Sequence, residues 1–89
     1  MTREELLQRC NRISTELADR HDILANLLPT ERRIKVETFL QAAGSDTVRR
    51  NAADQASLHV SEQVLRIQSE IRAREIELEN AKLQLYYTS

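Results

Sequence analysis

The sequence predicts an all-α protein: an antiparallel helical hairpin, zipped as a coiled coil, with its first arm kinked at Pro29 and a long C-terminal helix. Three observations predict it. Apolar residues recur at alternating steps of four and three in both halves of the chain, which lays a narrow apolar seam along a helix. The two series mirror each other about a single point. One Gly and one Pro in 89 residues leave long stretches with nothing to stop a helix. The expected organisation is one domain over residues 1–89, with helices at 2–28, 30–43 and 46–86 and a turn at 44–46.

Thr2 opens the first helix. With Glu5 three residues on, it makes a capping box, in which hydroxyl and carboxylate satisfy free amide donors of the first turn. Leu6, Cys10, Ile13, Leu17, Leu24 and Leu27 then form the seam, interrupted at Arg20, while Leu7, His21 and Leu28 lie beside it and widen it. Pro29 ends or kinks this helix, because its ring disfavours helical geometry at Leu28 and removes an amide donor. A proline is welcome in a first helical turn, so a second helical piece follows. Its apolar face is Val36, Phe39, Leu40 and Ala43, out of phase with the first seam, and the face is expected to rotate after the proline.

Ala43-Gly44-Ser45-Asp46 is the firm break. Gly44 suits a left-handed C-terminal cap, and Ser45 or Asp46 caps the next helix. From there the chain is helical for ~40 residues, ~60 Å at 1.5 Å each. Val60, Val64, Ile67, Ile71, Leu78, Ala81 and Leu85 carry its seam, interrupted at Arg74.

Folding the chain back at Gly44 tests whether the two seams meet. Leu6–Leu85, Cys10–Ala81, Ile13–Leu78, Leu17–Arg74, Arg20–Ile71, Leu24–Ile67 and Leu27–Val64 are pairs whose numbers all sum to 91. The implied fold-back point lies between Ser45 and Asp46, where the turn residues sit, so two independent signals agree. The same register brings Arg20 near Glu70 and Arg74 near Glu16, so each arginine that interrupts a seam meets a carboxylate of the other arm. The competing topology turns back at Pro29 and makes an up-down-up three-helix bundle.

Composition limits what such a chain does. Aromatics are 3% of residues and there is no Trp, so a chain this short buries little apolar surface alone. Cys10 is the only cysteine, which rules out an internal disulfide. Self-association or a larger protein partner is the expected remedy, with no cofactor and no metal. A net charge of -1 argues against a strongly nucleic-acid-binding domain. No apolar run reaches the ~20 residues of a membrane span. The charged opening Met1-Thr2-Arg3-Glu4-Glu5 is unlike a secretory leader, and with the lone cysteine it gives a cytoplasmic expectation.

The candidate contact residues are Leu58, Leu65, Ile76 and Leu83, which lie on the long helix but off its seam. A bare hairpin cannot cover all four, so they are expected to meet a second copy, giving a four-helix bundle from two hairpins, or a foreign helix. Tyr86 and Tyr87 either pack with Leu85 over the open end, against Leu6 and Leu7, or anchor a partner. Arg32, Arg33, Arg49 and Arg50 flank the turn and form a basic tip, the basis of an alternative reading as a small nucleic-acid-associated regulator. Acidic neighbours interleave with these arginines and no aromatic platform joins them, so a solvated, salt-bridged surface is the plainer interpretation.

Enzymatic readings find no support. His59-x-x-Glu62 occurs once, without the second copy a helical di-metal site needs, and His21 lacks the Lys and small residue expected after a phosphorelay histidine. Cys10 has no base beside it, and a chain with one glycine has no phosphate loop. The sequence reads as a non-enzymatic interaction module (adaptor, chaperone-like protein or inhibitor) acting through helix–helix contacts.

Overall fold

A computed structural model describes residues 1–88. The chain forms α1, Arg3–Gln41, and α2, Asp46–Thr88, packed side by side as an antiparallel hairpin. The molecule is a rod of 64 × 18 × 14 Å. Its radius of gyration is 19.5 Å, against about 12 Å for a compact domain of this length.

Local chemistry sets the ends of both helices. The Glu5 amide donates to Thr2 Oγ1 at 3.1 Å, and Thr2 Oγ1 in turn donates to the Glu5 carboxylate at 3.0 Å, a variant of the expected capping box. α1 ends on an extended Ala42 whose amide donates to the Thr38 carbonyl at 2.9 Å. Gly44 does adopt positive φ, +114°, but it lies two residues beyond that cap, so its freedom turns the connecting loop and does not close the helix. Ser45 is the N-cap of α2: its Oγ accepts from the Val48 amide at 3.3 Å.

Two expectations about the first arm are overturned. α1 does not divide at Pro29; the proline sits inside one continuous helix. Nor does the apolar face rotate after it. Of the expected face Val36, Leu40 and Ala43 are exposed and Phe39 alone is half-buried, whereas Ile34 and Thr38 are half-buried on the continued seam. The reason is the seam itself. Continued in the same steps beyond Leu27, it passes through Glu31, Ile34 and Thr38, which face Val60, Ser57 and Ala53, pairs whose numbers again sum to 91. Packing along an uninterrupted partner keeps α1 helical through the proline, because a reversal there would abandon this half of the interface. The three-helix bundle is therefore not the topology.

The register is that of the mirrored seams. Leu6, Ile13, Val64, Ile67, Ile71 and Ala81 are buried on it, with Cys10, Leu17, Leu24, Leu27, Leu78 and Leu85 half-buried. Ion pairs fix it independently: Arg20 Nε lies 3.3 Å from Glu70 Oε2, and Arg74 Nε donates to Glu16 Oε2 at 3.2 Å. Each arm carries the motif Glu-x-x-x-Arg, Glu16 to Arg20 and Glu70 to Arg74, and the two motifs cross. Glu16 is the more heavily used carboxylate residue, since its backbone oxygen also accepts from Arg20 Nη1 at 3.3 Å. Each pair is about one-third exposed and contributes ~0–1 kcal/mol, so the larger effect is on alignment.

Near the turn the seam becomes polar and small. Ser57 is fully buried, its hydroxyl donating to the Asp54 carbonyl one turn back, and Ala53 is buried beside it. An intrahelical acceptor is what lets a serine occupy a core position.

Candidate interaction surface

The outer face of α2 carries the candidate residues. At about 100° per residue, steps of 7, 11 and 7 from Leu58 to Leu65, Ile76 and Leu83 return to the same side of a helix within about 20°. All four are exposed, at 49%, 64%, 51% and 50%. They form one stripe, ~38 Å long, pointing away from α1. Tyr87 lies about 30° from the same line and extends it towards the C-terminal end. The exposed apolar residues of α1 make a looser set: Leu7, Leu28, Val36 and Leu40 spread over about 120° of the helix, and Ile23 faces nearly the opposite way.

The tyrosines do not close the hairpin. Leu85 is half-buried and Leu6 buried, which completes the seam, but Tyr86 and Tyr87 are 75% and 80% exposed and stack edge-to-face at 5.2 Å between centroids. The seam directs Leu85 inward; the next two positions on a helix point outward whatever their chemistry.

At the turn, Arg32, Arg33 and Arg50 are exposed, as a basic tip requires. Arg49 is not available to it in the same way. Its Nε donates to the Phe39 carbonyl at 2.9 Å, and its guanidinium lies 4.3 Å from the Phe39 ring centroid. That carbonyl belongs to the last turn of α1, where helical acceptors lack partners and the helix dipole favours a cation. Arg49 thus caps α1 from the other arm. Lys35, Val36, Phe39, Arg50, Ala53 and Asp54 line a shallow groove beside it.

The remaining polar residues do not converge. His21 and His59 are exposed, and His59 Nε2 pairs with the Gln63 amide 3.4 Å away on the same helix. Cys10 is a half-buried free thiol. Among the described residues no three His, Cys, Asp or Glu side chains gather as metal ligands, and no helix is long and apolar enough to cross a membrane. Sequence reasoning missed Arg49 as a cap, and also Ala53 and Ser57 as core; extending the seam back by one heptad from Val64 and Val60 would have found the latter two. Comparison with protein-family models, curated proteins and solved structures finds no match.

Proposed function

We propose that this chain is a helix–helix interaction module, a rod without catalytic chemistry that docks another helix along the outer face of α2, as an adaptor, chaperone-like protein or inhibitor does. The observation that carries the reading is the stripe of Leu58, Leu65, Ile76 and Leu83, half exposed on the side of α2 that α1 does not cover. Aligned large aliphatic groups favour burial, and helix-in-groove recognition reads such spacing. The nucleic-acid alternative loses support from Arg49, whose side chain is committed to Phe39.

Replacing Leu65 and Ile76 together by Asp tests the reading. These side chains stabilise little in the hairpin, so its helical content and melting temperature should stay within a few degrees of the parent. Association, followed by sedimentation and by capture of proteins from a source-cell extract, should be lost. Association unaffected by the double substitution would overturn the proposal. Retention on heparin that falls steeply with salt would point to the tip arginines instead.

A further inference from the structure

We infer that the occupant of the α2 stripe is a second copy of the same stripe, antiparallel, on a two-fold axis level with the point between Glu70 and Ile71. This rests on the reading of the stripe as a helix-docking face and specifies its partner. An isologous contact requires that residue i meet j while j meets i. The intervals 7, 11 and 7 read the same in both directions, so the stripe is its own complement. Leu58 faces Leu83 of the second copy and Leu65 faces Ile76, each twice, in a register whose paired numbers sum to 141. A stripe with unequal end intervals would leave leucines unmatched on reversal.

One flank pair favours this register, whereas exposed Arg72, about 30° from the midline and close to the axis, faces its own copy. Arg66 and Glu77 lie on the same flank of the stripe, about 90–110° from its centre, within reach of long side chains across paired helices. In the antiparallel arrangement Arg66 of one copy lies beside Glu77 of the other, twice. Both are exposed, and neither forms an ion pair within the chain among the described residues. Beyond the leucines, Tyr87 falls opposite Asp54 of the second copy, a hydroxyl donor beside a carboxylate. Glu62 and Glu79, whose numbers also sum to 141, lie on opposite flanks of the stripe and are kept apart.

The surface has area to give. The single chain exposes 6577 Å², whereas a compact monomer of this mass exposes about 5,400 Å². The excess of about 1,200 Å² per chain covers the roughly 800 Å² that each partner gives up in a standard interface.

Two measurements decide it. In a Cys10→Ser background, nitroxide labels are placed singly at Gln68→Cys and Gln55→Cys, both exposed and off the stripe's midline, and inter-copy distances are read by pulsed dipolar spectroscopy. The antiparallel register offsets the Gln68 labels along the axis by about 8 Å and the Gln55 labels by about 46 Å. Separately, Arg66→Glu and Glu77→Arg should each weaken the dimer about tenfold, and the double swap should restore it. Similar short distances at both labels mean parallel pairing and overturn the inference, while leaving α2 as a docking face. A folded chain that stays monomeric at every concentration tested overturns it too and leaves a foreign helix as the partner. A dimer that neither Leu65→Asp nor the charge swaps disturb overturns both this inference and the docking reading.

Discussion

Arg49 shows how one residue changes meaning between sequence and fold. In the sequence it is half of a basic pair beside a turn; in the structure its planar fork reaches back across the loop to the Phe39 carbonyl and ring. Lysine cannot reproduce this, because a single ammonium neither stacks in the same way nor presents an Nε–H beside the ring. Arg49→Ala should destabilise the hairpin by about 1–2 kcal/mol, from a cation–π contact and a charged hydrogen bond. Arg49→Lys should recover less than half of that, which urea denaturation of the three proteins will measure. Nothing in the order Thr47-Val48-Arg49-Arg50 announces this role; it needs Phe39, ten positions earlier, brought alongside. Ser57 is the opposite case. A hydroxyl favours the surface, but its place in the heptad puts Ser57 in the core.

At the scale of the helix, Pro29 is the instructive departure. Local rules read it as a boundary: the ring removes the amide that would bond the Ala25 carbonyl and crowds the preceding turn. The helix nevertheless runs from Arg3 to Gln41. Tertiary packing of Ile34 and Thr38 against the α2 seam outweighs a local penalty of about 3 kcal/mol. The penalty is not abolished, so Pro29→Ala should stabilise the protein by about 2 kcal/mol, the helical gain less ~1 kcal/mol for the freer unfolded chain. An increase in the urea midpoint at unchanged slope is the expected result. A loss of stability would mean that the seam is shaped around the proline. The other breaker, Gly44, acts as its chemistry dictates, because +114° is a region L side chains rarely adopt and a Cβ there would sit 3.3 Å from Val48.

The whole molecule is decided by register. Two arms of about forty residues can slide by a heptad and still bury leucines, so apolar contact alone leaves the alignment open. The loop length and the crossed Glu16–Arg74 and Arg20–Glu70 pairs select one alignment. Cys10 provides a direct check. With Ala81→Cys it should close an intramolecular disulfide under mild oxidation, seen as faster migration of a monomeric band. The same exchange at Leu78 or Gln84 should give far less. The rod's shape follows from this register as well: with one seam and no third helix, each arm keeps its outer face in water, the stripe of α2 included.

Much of the fold was therefore written in the sequence. The periods of both seams, the mirrored numbering that names the opposing residues, the crossing arginines and the turn at Gly44 to Ser45 are all local or pairwise-additive signals, and they survive without knowledge of the third dimension. What only the tertiary structure decided is what depends on one arm acting on the other. That includes the passage of α1 through Pro29, the direction in which Ile34, Val36 and Leu40 face, and the recruitment of Arg49 as a cap. In each of these a local preference competes with burial against a partner, and its outcome is set by a neighbour that is distant along the chain.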